Sequence, residues 1–162
     1  MCKLRHPNIL SVVGFCVRPE PTLCIELAPE GSLETFLESA QTYSYGGPRI
    51  SRRFKHKVIY QVACGLAFLH EQNVVYRDLK LGNILIFSRD ERAPVVAKIA
   101  DYGIAEHITP MGTSGYSGTS GYSAPEVVKI RLNQNLGTST YAQKVDVFSF
   151  GLLVHELITA RA

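Results

Sequence analysis

No apolar run in the 162 residues approaches the eighteen or so needed to cross a bilayer as a helix. The opening MCKLRHPNIL has neither a long apolar core nor a small-residue cleavage site, so no signal peptide is read there. Cysteine is scarce and scattered (Cys2, Cys16, Cys24, Cys64), with no Cys-x-x-Cys pair and no histidine at ligand spacing. That argues against a disulfide or zinc framework and predicts small buried thiols in a reducing compartment. Charge of one sign is lacking as well. Seventeen basic against 14 acidic residues give a net charge of +3, too near balance to point to nucleic acid or a membrane surface. Glycine, 13 residues, shows no three-residue period, which excludes a collagen-like chain. What is present, 46% hydrophobic and 19% charged residues, is enough for one folded domain and too apolar for a disordered tail.

The order of elements follows from local pattern. Ile9 to Val17 and Thr22 to Leu27 read as strands, joined through Pro19 and Pro21 in a turn. Pro29-Glu30-Gly31-Ser32 breaks the chain. Ser32 then suits an N-cap, Glu34 the first turn, and Leu33, Phe36 and Leu37 one helical face. Residues 39–56 read as a polar connection that ends in a helix start. Its basic cluster of Arg49, Arg52, Arg53, Lys55 and Lys57 reads as a solvated face. Lys57 to Gln72 repeats Val58, Val62, Ala63, Leu66 and Leu69 at the helical period. Three short strands follow, Val74–Tyr76, Ile84–Phe87 and Val95–Ile99, the last two separated by a turn at 88–92. Residues 101–126 read as one long loop, of the kind usually kept for function. It holds GTSGYS at 112–117 and again at 118–123, a local duplication too short for a solenoid. Asp146 to Thr159 is apolar almost all round, which predicts a buried helix. Only three residues follow it, and the expectation is a truncated domain.

Four motifs occur in order. Tyr76-Arg77-Asp78-Leu79-Lys80-Leu81-Gly82-Asn83 puts a carboxylate, a lysine two later and an amide five later on one loop. Asp101-Tyr102-Gly103 follows the strand VVAKIA. Gly118-Thr119-Ser120-Gly121-Tyr122-Ser123-Ala124-Pro125-Glu126 and Asp146-Val147-Phe148-Ser149-Phe150-Gly151 complete the set. Singly each is weak, and Asp78 and Asp101 alone would read as turn residues. Together they resemble the catalytic half of a eukaryotic protein kinase domain, over nearly the whole chain.

That resemblance implies a partial α+β, protein-kinase-like fold. Residues 1–28 would be an N-lobe remnant and hinge, and 29–162 part of a mainly helical C-lobe, with a catalytic loop at 76–83 and an activation segment at 101–126. It implies transfer of the γ-phosphate of ATP to a protein hydroxyl, with Mg²⁺ as cofactor. Such catalysis is mostly positioning and charge neutralisation. Asp78 matches the base, Lys80 the cation near the moving phosphoryl, and Asn83 and Asp101 the metal ligands, oxygen donors that a hard cation prefers. Gly103 would allow the turn after the metal-binding carboxylate. Lys80 and Thr119 match the serine/threonine pattern rather than the tyrosine one, with the Thr119 hydroxyl holding Asp78 and Lys80. Arg77 matches a residue that pairs with a phosphorylated activation loop, where Thr109, Thr113, Ser114, Ser117 and Ser120 offer hydroxyls. Ile25 matches the residue that gates the adenine pocket, the Glu26 carbonyl and the Ala28 backbone its hydrogen-bonding edge, and Leu85 its floor. Met1, Val12, Tyr76 and Tyr102 match a packed column that joins the lobes.

Two departures narrow the family. Tyr76 replaces the usual histidine and Tyr102 the usual phenylalanine. The stretches AKIADYGIAEH, YRDLKLGNILIF and RPEPTLCIELAPEGSL resemble the leucine-rich-repeat, or Roco, serine/threonine kinases. The Tyr102 hydroxyl is expected to bias its loop toward an inactive pose. No Gly-x-Gly-x-x-Gly loop and no Val-Ala-x-Lys strand occur in the 162 residues. Weak or no ATP binding by this stretch alone is therefore expected, inside a longer cytoplasmic parent with flanking domains, protein substrates and no nucleic-acid partner. The rival reading is a pseudokinase-like, non-catalytic protein-binding module. The presence of Asp78, Lys80, Asn83 and Asp101 together argues against it.

Overall fold

The computed structural model describes residues 5–42, 50–101, 105–107, 118–132 and 143–159, with the side chains of 40–42, 106–107 and 130–132 set aside. Met1, Cys2, Tyr102, Gly103, Thr109, Thr113, Ser114 and Ser117, each singled out above, lie outside these residues.

The architecture is α+β, as the motif order implies. β1 (Val12–Cys16) and β2 (Thr22–Ile25) form an antiparallel hairpin in which Val12 faces Ile25 and Phe15 faces Leu23. β1 starts later than its β-rich sequence suggests, because Ile9 leaves the hairpin to make a parallel bridge to Ile99, and β2 ends at Ile25. The hairpin is solvent-exposed and carries Cys16 and Cys24. This corrects the expectation of buried thiols. Cys64 is half-buried, and the three described cysteines are free.

α1 (Leu33–Thr42) begins where Ser32 Oγ accepts the Thr35 N–H at 3.2 Å, and it buries Leu33, Phe36 and Leu37. α2 (Arg52–Glu71) starts five residues before Lys57, where the sequence placed it. Its cap is Ser51, whose Oγ accepts from the Phe54 N–H at 3.0 Å, and Phe54 is stacked on Phe36 in the core. Basic residues in the first turn oppose the helix dipole, but the cap and the buried ring outweigh them.

α2 is the spine on which the site is hung. Gly65 lets the Asn8 carbonyl approach so closely that a Cβ would lie 2.7 Å from it. Gln61 is buried, with Oε1 accepting from the Val96 and Ala97 N–H groups at 2.8 and 2.9 Å and Nε2 donating to the Pro94 carbonyl at 2.7 Å. This fixes β5 (Ala97–Ile99) against α2, antiparallel to β4 (Ile84–Ile86). Ile84, Ile86, Ala97 and Ile99 point into the core, so Leu85 and Lys98, paired across the strands, share the opposite face. β3 (Val74–Val75) pairs with β6 (Glu106–His107), inside the stretch read as loop.

A short 3-10 turn at Leu81–Asn83 precedes β4, and α3 (Pro125–Leu132), whose first two residues fall in the stretch read as loop, and α4 (Lys144–Thr159) follow. α4 is not buried all round. Val145, Asp146, Ser149, Leu153 and Leu157 face inward, whereas Val147, Phe148 and Ile158 are exposed. No helix among the described residues is long and apolar enough to cross a membrane.

Candidate active site

The loop from Tyr76 to Asn83 is shaped from beneath by one carboxylate. Asp146, on α4, is fully buried. Its Oδ2 accepts from the Tyr76 N–H and His70 Nε2, each at 2.8 Å, and its Oδ1 from the Arg77 N–H at 2.7 Å. A buried charge needs such partners, and these donors supply them. Arg77 is thereby held at φ 71°, a conformation a non-glycine residue rarely adopts and one that costs on the order of 1–3 kcal/mol. The turn swings the next side chain, Asp78, toward the opposite wall. Fully buried Tyr76 donates its hydroxyl to the Ala100 carbonyl, tying the loop to the end of β5. A tyrosine therefore does the bridging here where the family pattern has histidine.

Asp78 meets three of the residues singled out with it. Thr119 Oγ1 donates to Asp78 Oδ1 at 2.6 Å, and Lys80 Nζ donates to Thr119 Oγ1 at 2.8 Å. Lys80 Nζ also lies 3.1 Å from Asp78 Oδ2. Asn83 Nδ2 donates to Asp78 Oδ2 at 2.8 Å and to the Asp78 carbonyl at 2.9 Å. Thr119 reaches this ring because Gly118, at φ 126°, packs on the Arg77 carbonyl, where a Cβ would sit 2.7 Å away. Farther along, the Tyr122 hydroxyl donates to Glu156, and burial followed by that bond pushes the phenol well above its usual range.

Asp101 joins through the backbone. The Ala100 N–H donates to the Asn83 carbonyl at 2.9 Å, continuing the β4–β5 ladder, and brings Asp101 beside Asn83. Asp101 is exposed, at φ 54°, a conformation aspartate tolerates. Both hydrogens of the Asn83 amide go to Asp78, so the group Asn83 offers a cation is its carbonyl oxygen. An amide oxygen beside a carboxylate is the donor set that suits Mg²⁺, which binds through one or two carboxylates and takes its remaining ligands from water and phosphate. The residues fit the ion.

The adenine-side candidates form a second group. The segment after β2 runs along β4: the Glu30 N–H donates to the Ile86 carbonyl at 3.2 Å, the Ile86 N–H to the Gly31 carbonyl at 2.8 Å, and Ser32 bridges Leu85. Ala28 and Leu85, both half-buried, thus belong to one neighbourhood. The Ala28 carbonyl accepts from the Gly31 N–H at 3.3 Å, which commits it to the turn. Ile25, at the end of β2, is 49% exposed. Glu26 does more than the sequence reading asked of it. Lys98 Nζ lies 2.7 and 2.6 Å from its two carboxylate oxygens, and Oε1 also accepts from the Ser11 N–H at 2.6 Å. Burial pushes this carboxyl up, but the bonds from Lys98 and Ser11 and the lysine's charge outweigh it and leave it below its ordinary value.

Two residues in this region had no role assigned from sequence. Asp146 was legible, since a carboxylate in the first turn of an apolar helix requires partners where it is buried. Lys98 was not: one lysine in a strand carries no such mark. Arg77 is placed beside the site through its backbone, and of the candidate loop hydroxyls only Ser120 is described, exposed.

The sequence profile of the protein kinase domain matches residues 1–162. Mouse leucine-rich repeat serine/threonine-protein kinase 1 is 38% identical over 161 residues, 98% of this chain and 7% of that protein. The Caenorhabditis elegans protein of the same name is 36% identical over 166 residues, 99% of this chain and 7% of its own length. The Dictyostelium discoideum probable serine/threonine-protein kinase roco11 is 33% identical over 161 residues, 98% of this chain and 10% of that protein. The chain thus spans a tenth or less of the length of these relatives.

Proposed function

We propose, from the premise that this chain belongs to the protein kinase domain family, that the protein carrying it transfers the γ-phosphate of ATP to serine or threonine hydroxyls of protein substrates. The observation that carries the reading is the hydrogen-bonded ring of Asp78, Lys80, Asn83 and Thr119. The relatives are named serine/threonine kinases and resemble this chain from end to end, which supports the same class.

Each residue has a task set by its contacts. Thr119 and Asn83 hold the Asp78 carboxylate from two sides, so that its remaining lone pairs face an incoming hydroxyl and take its proton. Lys80, anchored on Thr119 and Asp78, offers its remaining ammonium hydrogen and its charge to the phosphoryl oxygens, whose charge must be neutralised as the phosphoryl moves. Asn83 Oδ1 and the Asp101 carboxylate would hold Mg²⁺. When bound there, the ion supplies positive charge against the nucleotide's phosphates. The Glu26 carbonyl and the Ala28 N–H take the adenine edge, Leu85 lies beneath the base and Ile25 beside it. Arg77 would pair with a phosphorylated residue of the segment that follows Asp101.

We further place the protein in a reducing, cytoplasmic setting, consistent with exposed free thiols at Cys16 and Cys24, and within a longer parent, consistent with the short share of its relatives it spans. Residues 1–28 then act as hinge and lobe remnant and 29–162 as the catalytic half.

The test is the full-length protein with radiolabelled Mg-ATP and a mixed protein substrate. Phosphoserine and phosphothreonine are expected, and Asp78→Asn should remove them in a protein that still unfolds cooperatively. Undiminished labelling by D78N contradicts the reading, and phosphotyrosine as the main product contradicts the hydroxyl class.

A further inference from the structure

We propose that Lys98 is a positioning residue for the nucleotide: through the Glu26 side chain it fixes the hinge backbone relative to the strand that leads to the metal-binding carboxylate. The inference rests on the nucleotide reading above, in which Glu26 acts only through its carbonyl.

Three segments meet at this point. The Glu26 N–H donates to the Ser11 carbonyl at 3.2 Å, and the Glu26 carboxylate accepts the Ser11 N–H at 2.6 Å, so Ser11 and Glu26 are doubly joined at the base of the β1–β2 hairpin. From β5, Lys98 then places its ammonium within 2.7 Å of both Glu26 carboxylate oxygens. The ammonium lies 4.6 Å from the centre of the Phe87 ring, a cation–π contact that narrows its possible positions. The side chains of Lys98 and Glu26 are 12% and 24% exposed, which shields the pair from the screening that weakens surface ion pairs.

Placement gives the pair its consequence. Lys98 shares a face of the β4–β5 ladder with Leu85, the floor of the proposed adenine pocket. It also precedes Asp101 by three residues, Asp101 lying two residues beyond the end of β5. Among the described residues the segment ahead of the hairpin is tied to this strand by Asn8, Ile9 and Leu10, through backbone pairing with Ile99 and the Asn8 amide on the Ala97 carbonyl, whereas at the hinge end the described side-chain tie is that of Glu26 to Lys98. Lys98 supplies that tie. A hinge free to shift by an ångström against β5 cannot keep its adenine contacts while the phosphates sit at Asp101, and misplacement on that scale weakens binding substantially.

The test is equilibrium binding of a fluorescent ADP analogue to the full-length protein, read beside steady-state kinetics. Lys98→Met should weaken nucleotide binding about tenfold and raise the KM for ATP with kcat little changed, since the Asp78 ring is untouched. Lys98→Arg, which keeps the charge and reach, should restore binding to within about twofold. In Glu26→Gln the loss should be smaller, and E26Q combined with K98M should lose no more than K98M alone, because the two act as one unit. Nucleotide binding unaltered in K98M, or losses that simply add in the double variant, would overturn the inference. A K98M protein that does not melt cooperatively passes the same decision to E26Q and K98R. Failure of the unsubstituted protein to bind the analogue would instead count against the nucleotide reading itself.

Discussion

Replacing Asp146 by asparagine changes no shape and removes one oxygen, so its cost can be worked from the bonds it makes. The carboxylate accepts the Tyr76 N–H and His70 on one oxygen and the Arg77 N–H on the other. An asparagine oriented to keep the first oxygen turns its amide hydrogens toward the Arg77 N–H, donor against donor. A hydrogen bond to a charged acceptor contributes about 1.5–3 kcal/mol, and the opposite orientation forfeits two such bonds instead of one. Loss of at least that amount should lower the melting temperature by roughly 5–10 °C for a domain of this size. The local effect is sharper. Without its acceptor, the Arg77 N–H loses a restraint that helps hold the residue at φ 71°, and Asp78 shifts relative to the Thr119 hydroxyl. Amide exchange at Tyr76 and Arg77 should quicken, and phosphotransfer by the full-length protein should fall more than the loss of folded protein accounts for. A D146N protein that melts within about a degree of the parent and exchanges Arg77 at the parent's rate would refute the reasoning.

Other perturbations follow the same logic. Gly118→Ala sets a Cβ 2.7 Å from the Arg77 carbonyl at a φ that alanine resists, so unfolding in urea should come earlier by about 1–3 kcal/mol and phosphotransfer should drop as Thr119 is displaced; unchanged values would contradict the packing. Tyr76→Phe deletes only the hydroxyl that serves the Ala100 carbonyl, and a loss of about 1–2 kcal/mol in the same assay is expected, where a neutral result would mean the bond is not made. The Glu26 carboxyl is held below its ordinary 4.5, so its contribution to stability is complete above that pH and is lost as pH falls through the lowered value. Melting temperature measured on descending pH should therefore fall less steeply below about 4.5 in K98M than in the parent, and parallel curves would deny the pair a role.

How much of this was readable from the chain depended on whether chemistry or packing chose the residue. Asp78, Lys80, Asn83 and Thr119 stood out because their motifs, in order, resemble the protein kinase pattern, and the structure brings the four together. The α2 period from Val58 to Leu69 was plain for the same reason any one-sided helix is. Its true start was hidden, since Arg52 and Arg53 run against the dipole rule and the decisive cap is a single Ser51 hydroxyl. α3 has no clear apolar stripe, and so no element was read there; only Pro125 and Glu126 fall in the stretch read as loop. Exposure of Cys16 and Cys24, and of one side of α4, is a tertiary property that hydropathy alone does not encode. The Lys98–Glu26 pair spans 72 residues and is invisible to any local pattern.

The most direct measurement of the central claim is paramagnetic. Mn²⁺ added with ADP to the full-length protein, labelled so that its Asn and Asp side chains are seen by NMR, should broaden Asn83 and Asp101 first and Asp78 next. Signals from Asn83 and Asp101 that stay sharp while carboxylates elsewhere broaden would contradict the account.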